Sequence, residues 1–189
     1  MGRSSASPPV TAPAPGDVAP PAGLPRPARM FVTAAAVVVA DQIVKRAVVA
    51  FLNMGDPVNV LGSVARFTRT ENTGAAFGVF QGRGVWFIVV SAAASIAIAA
   101  FSREIAKMRR GEQIAFGLIL GGAVGNLIDR VRLGAVVDFI DIGVNDVRWP
   151  SFNVADSGIT IGVTLLAIHL LFLSRSGQVG TPSEGSPPR

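Results

Sequence analysis

Cysteine is absent from this 189-residue chain, so neither a disulfide nor a thiol nucleophile is available to it. Histidine occurs once, as His169 deep in an apolar run. A Ser-His triad or a histidine-based metal site would need partners beside it, so His169 reads as a packed or lipid-edge residue. No metal site and no cofactor are expected. Charge is scarce too: Asp, Glu, Lys and Arg make up 15% of the residues, against about 25% in a water-soluble domain. No internal repeat is visible.

What the chain has instead is apolar residues, 50% of the total, and a positive mean hydropathy. Four runs, Met30–Phe51, Gly84–Phe101, Gln113–Ile128 and Phe152–Leu173, approach the ~20 residues that cross a bilayer as helix. The third, rich in glycine (GLILGGAVGNLI), suits close packing of one helix on another. The expected class is an all-α integral membrane protein, a bundle of four transmembrane helices.

The net charge of +5 does not form a nucleic-acid-binding face. Arg26 and Arg29 precede the first run, and Arg103, Lys107, Arg109 and Arg110 separate the second from the third. Basic residues beside a span mark the cytoplasmic side, and both clusters share a side if the chain crosses four times. The termini and the loop at 102–112 are then cytoplasmic, and the loops at 52–83 and 129–151 face outward with Trp86 and Trp149 at the interface. Residues 1–28 and 175–189, rich in Pro, Gly, Ala and Ser, are expected to be disordered cytoplasmic tails around a membrane domain at 29–174. A cleaved secretory signal is not expected, because the first run is long and contains Asp41 and Lys45.

Several polar residues stand where apolar surroundings disfavour them. Asp41 and Lys45 are one helical turn apart and can pair; they read as a packing ion pair, with a catalytic lysine or proton relay as the other possibility. Asn72, followed by Thr73, Gly74, Ala75 and Ala76, marks either a turn into the second span or a place that holds an extended peptide. Asn126 and Arg130 share a helical face at the outer boundary, where the guanidinium can orient a carboxylate, a peptide carbonyl or a phosphate. Asp129 and Asp141 read as solvated loop charges. Asp138, inside VVDFI, is in a setting that raises its pKa by desolvation. Asp156 stands at the mouth of the last span, with Asn153 on the same face. If the 138 region folds back, Asp138 and Asp156 can meet as a pair sharing one proton, able to activate water against a peptide carbonyl.

These motifs, DQIVK at 41–45, ENTGAAFG at 71–78, GNLIDRVRLGAVVDFID at 125–141 and FNVADS at 152–157, resemble those of the lipoprotein signal peptidase family (signal peptidase II, aspartic peptidases). Four ordered motifs on a four-span frame extend the resemblance over nearly everything between the tails. The resemblance implies an endopeptidase that cuts prolipoprotein signal peptides before a diacylglyceryl-modified cysteine, at the outer face of the bacterial inner membrane. It makes Asp138 and Asp156 the catalytic pair, with Asn126, Arg130 and Asn153 shaping the site and Asn72 contacting substrate. Asp41 and Lys45 support the fold or site, and the loop after the first span forms a small β-rich cradle. Membrane lipid is an implied partner and a monomer the implied state. The alternative is a small polytopic proton-coupled transporter or channel subunit. The Gly-x-Gly-Asp motif of presenilin-type proteases is absent, and no serine sits in a motif that would pair with Lys45 in a Ser-Lys peptidase.

Overall fold

The computed structural model describes residues 26–74, 84–145 and 147–176. Most of both expected tails, and the stretch after Gly74, lie outside them. Helix α1 spans Arg26–Phe51, α2 Gly84–Ala100, the short α3 Ser102–Ile105, α4 Arg110–Leu133 and α5 Val154–Ser176. Each long helix overlaps one of the apolar runs, with α4 extending beyond both ends of the third. By length and composition, α4 and the part of α5 from Val154 to Leu171 are able to cross a membrane, while Val85–Ala100 is a shorter apolar helix.

Helix α4 is the central element and packs against α1, α2 and α5. Its glycines are what let the backbones approach. A Cβ on Gly117 would stand 2.6 Å from the Met30 carbonyl oxygen, and one on Gly121 2.6 Å from that of Ala34, both on α1. Gly122 meets the Ala155 carbonyl of α5 in the same way, and Gly162 of α5 answers with a 2.6 Å approach to the Ala115 carbonyl. Such small-residue seams are how helices associate where lipid removes the hydrophobic drive between them.

Helix α1 exposes aliphatic side chains and buries a charged pair among apolar ones. Val32, Val39 and Ile43 are exposed, whereas Met30, Ala34, Asp41, Lys45 and Val48 form the buried face. A helix in water keeps its charges on the solvent face rather than beneath exposed aliphatic residues.

The all-α expectation needs correction. Strands β1 (Pro57–Leu61), β2 (Ala65–Asn72), β3 (Val136–Val144) and β4 (Val147–Arg148) form an antiparallel sheet in the order β1-β2-β3-β4. It therefore draws on the loop between α4 and α5 as well as the loop after α1. Aspartates at 138 and 141 break the alternation of VVDFIDIGV and hide β3 from a hydropathy reading. Helix α4 stops at Gly134, which is left-handed (φ 76°) and donates to the Arg130 carbonyl at 3.0 Å. That conformation suits glycine.

One irregularity positions the site. Arg66 pairs with Asp141 and Phe67 with Ile140, but Thr70 pairs with Asp138. Strand β2 thus carries one residue more than β3 across this interval, a bulge that reverses the faces its later side chains present. Arg66 and Thr68 meet Asp141 on one face; Thr70 and Asn72 share the other with Asp138.

Candidate active site

Asn153 precedes α5 and caps it reciprocally. Its side-chain oxygen accepts from the Asp156 amide at 2.9 Å, and the Asp156 carboxylate accepts from the Asn153 amide at 3.3 Å. The geometry is that of a capping box. Just upstream, Phe152 pairs with Ile140 of β3 through backbone bonds of 2.8 and 3.1 Å. That bridge brings the start of α5 beside Asp138.

The side-chain amide of Asn153, fully buried, then donates to Asp138 Oδ1 at 2.7 Å and to Asn126 Oδ1 at 3.1 Å. Asn72 donates to the other oxygen, Asp138 Oδ2, at 3.1 Å, while its own oxygen accepts from the Gly74 amide at 3.0 Å. Asn126 donates to Asp156 Oδ1 at 2.7 Å. Two carboxylates from different elements are thus tied to one asparagine, as the folding-back of the 138 region requires. Asp138 is pushed up to about 7, by burial first and by the Asp156 charge second, against the bonds from Asn72 and Asn153 and the charge of Lys45.

Behind them lies a second layer. Lys45 Nζ donates to Asp41 Oδ2 at 2.9 Å, Asp129 Oδ2 at 2.8 Å and Asn126 Oδ1 at 3.0 Å, which uses all its hydrogens. Asp41 Oδ1 accepts from the Ala155 amide in the first turn of α5 at 3.0 Å. Asp129 accepts from the Val137 amide at 3.2 Å, immediately before Asp138, and from Gln42 at 3.0 Å. The expected Asp41–Lys45 pair is present, but as part of a network joining α1, α4, β3 and α5.

Asp129 and Asp141 correct the sequence reading. Neither is solvated: they are 3% and 5% exposed. Asp129 lies within α4, which continues past the expected end of the span. Asp141 is bonded by Arg66, Arg148 and Thr68, so it clamps β2, β3 and β4. Burial alone would raise its pKa; the bonds from Arg148 and Arg66 outweigh that and hold it below the ordinary value. A sequence signal for Asp129 did exist, since it lies three residues after Asn126 and shares its face. Nothing local to Asp141 marks its partners. His169 also has a polar partner, Glu112 of α4 at 3.1 Å.

Arg130 lies half-buried on the same side as the pair. Its guanidinium stands 5.2 Å from the Phe87 ring centre on α2 and 3.5 Å from the Gly74 carbonyl. It makes no ion pair with either aspartate among the described residues.

Comparison with known proteins decides what family carries this arrangement. The family model described as Signal peptidase (SPase) II matches residues 33–172. The chain belongs to the signal peptidase II family. It is 40% identical to the lipoprotein signal peptidase of Bacillus velezensis over 75% of this chain and 93% of that protein. For the lipoprotein signal peptidase of Bacillus subtilis the figures are 37%, 75% and 92%. A solved bacterial membrane enzyme, determined by the in meso method at 2.3 Å, superposes with a TM-score of 0.74 at 34% identity, covering 82% of this chain and 95% of that one. Family membership makes this chain a membrane peptidase, and leaves the transporter alternative without support. The residues singled out by the motifs of the family fall within the matched segment, and those in the described residues converge on one end of α4.

Proposed function

We propose that this peptidase removes signal peptides from prolipoproteins, cutting before the diacylglyceryl-modified cysteine, with Asp138 and Asp156 as the catalytic pair. The observation that carries this reading is the pair of carboxylates joined through Asn153, one of them with its pKa raised to about 7. Two close carboxylates share a proton, so one serves as acid while the other serves as base. In this scheme Asp156 takes a proton from water, the resulting hydroxide attacks the scissile carbonyl carbon, and Asp138 donates to the carbonyl oxygen. Collapse of the tetrahedral intermediate breaks the C–N bond as the nitrogen takes a proton from the dyad. Asn126 and Asn153 hold the carboxylates, Asn72 and Arg130 meet the substrate backbone, and Asp41 and Lys45 support the site from behind.

The membrane arrangement belongs to the same proposal. Helices α1, α2, α4 and α5 each cross the bilayer, with the termini and the segment around α3 cytoplasmic and the sheet outside. The exposed aliphatic residues of α1 over its buried Asp41–Lys45 pair support this, as do the basic residues near α3. So do Trp86 and Trp149, exposed near the sheet end. The substrate's apolar helix then enters from lipid as a partner of a single enzyme copy, and residues 29–174 suffice for catalysis without either tail.

The test is cleavage of a diacylglyceryl-modified precursor by purified wild type, Asp138→Asn and Asp156→Asn. Each variant should lose turnover by more than the ~10²–10⁴-fold of one acid–base contribution, while still binding precursor. Wild-type-like cleavage by either one refutes the mechanism.

A further inference from the structure

At the other end of α4, about 20 Å along its axis from Asn126 at 1.5 Å per residue, is a cleft of about 300 Å³ lined by Arg29, Lys107, Met108, Arg109, Arg110 and Gln113. Its size falls at the lower end of small-molecule sites, about 300–1,000 Å³. None of the catalytic groups reaches it. Its chemistry is specific. Gln113 is 1% exposed and its Nε2 donates to the Ala106 and Met108 carbonyls at 3.1 and 2.8 Å, which fixes the amide orientation. Its Oε1 is left buried with no hydrogen-bond donor among the described residues. A buried acceptor without a donor is costly and calls for an explanation.

The surrounding charge is positive. Lys107 is occupied by Glu104, at 2.9 Å to both carboxylate oxygens. Glu112 is engaged by the Arg109 amide at 2.7 Å and by His169. No carboxylate among the described residues pairs with the guanidinium of Arg29, Arg109 or Arg110. The N-terminus of the 24-residue α4 adds its dipole at the same place. A ligand that fits must offer an anion to the arginines and a hydroxyl or amine hydrogen to Gln113.

We propose that this cleft binds the headgroup of an anionic, hydroxyl-bearing phospholipid, with phosphatidylglycerol as its simplest representative. The phosphodiester meets the arginines and a headgroup hydroxyl donates to Gln113 Oε1. A choline headgroup has no donor, and an ethanolamine ammonium would be repelled by the same guanidiniums. The proposal rests on the reading that these helices cross a membrane, which puts the cleft at the level of the cytoplasmic headgroups, where basic pockets between helices hold acidic lipids.

The test uses the full-length protein in detergent, titrated with short-chain phosphatidylglycerol, phosphatidylmethanol, phosphatidylcholine or free glycerol 3-phosphate. Retained lipid is counted by native mass spectrometry. Phosphatidylglycerol should bind tightest, and phosphatidylmethanol, which keeps the charge but lacks the hydroxyl, about 5-fold more weakly. Phosphatidylcholine should bind at background. In Arg29→Gln/Arg110→Gln, phosphatidylglycerol affinity should fall about 30-fold at roughly fivefold per basic residue, with precursor cleavage unchanged. Equal binding of phosphatidylglycerol and phosphatidylcholine by wild type overturns the proposal even if the variant does not fold. Equal binding of glycerol 3-phosphate overturns the lipid assignment. A protein that cleaves precursor but fails to discriminate lipids sinks this inference alone, leaving the peptidase reading intact.

Discussion

Asp138→Asn should leave a protein that cannot cleave yet gains stability over wild type as the pH rises. The Asp138 carboxyl is moved from 3.8 to about 7, by burial and then by the Asp156 charge. The unfolded chain gives up this proton at its ordinary pKa while the folded chain keeps it. The stabilising effect is therefore complete below the unfolded pKa and is lost as pH rises through the folded one. The interval from 3.8 to about 7 is worth ~4 kcal/mol at about 1.4 kcal/mol per pH decade. An asparagine has no such dependence. It offers one acceptor to Asn72 and Asn153 and turns an amide toward the other, a cost of ~1–3 kcal/mol at every pH. For a chain of this size each kcal/mol moves the melting temperature by about 2–4 °C. The gap between variant and wild type should thus shift by roughly 8–16 °C in the variant's favour between about pH 4 and about pH 8. Thermal unfolding in detergent, followed by tryptophan fluorescence and paired with a cleavage assay, measures it. A gap that stays constant, or moves against the variant, refutes the electrostatic account of the pair.

Asp129→Asn removes a buried partner of Lys45 and weakens the tether on Val137, so folded protein should fall by ~3 kcal/mol of stability; unchanged thermal stability would return Asp129 to a bystander. Asn126→Asp keeps an acceptor for Lys45 but puts a carboxylate where Asp156 needs a donor. The pH–rate profile of the residual activity should move to higher pH, and an unshifted profile with full activity would remove Asn126 from the site. Gly121→Ala forces a Cβ toward the Ala34 carbonyl and should cost ~1–3 kcal/mol through separation of α1 from α4, read as reduced folded yield. Single cysteines placed near 60 and 145 in this cysteine-free chain should react with an impermeant label from outside, and one near 106 should not; the reverse pattern inverts the membrane orientation.

What the sequence made legible was local and periodic. Apolar runs located the long helices, the glycine content of the third anticipated its close approach to its neighbours, and the i,i+4 step from Asp41 to Lys45 placed a real ion pair. What it concealed depends on long-range pairing. Strand β3 was masked by its own aspartates. Asp141 finds Arg66 only through a strand 75 residues away, so its local sequence reads as a solvated loop. The bulge in β2, which turns Asn72 toward Asp138, exists only in the register against β3. Asp129 was misread for a different reason: the helix was ended at the limit of its apolar residues, while buried polar contacts carry α4 one turn further.

Those buried contacts also bear on why the site is layered. A lysine bonded directly to Asp138 or Asp156 would favour two ionised carboxylates and leave the pair without an acid. Here Lys45 is held between Asp41 and Asp129, and its remaining hydrogen goes to a neutral oxygen, Asn126 Oδ1. Among the described residues, the hydrogen bonds to the two carboxylates come from asparagine side-chain amides and a backbone amide. An amide hydrogen can bond a carboxylate or the carbonyl oxygen of a carboxylic acid, so the same cage accommodates the pair as its proton moves from one partner to the other. The charged layer fixes where α1, α4, β3 and α5 meet, and in the mechanism proposed above the neutral layer in front of it leaves the proton of the pair free to move.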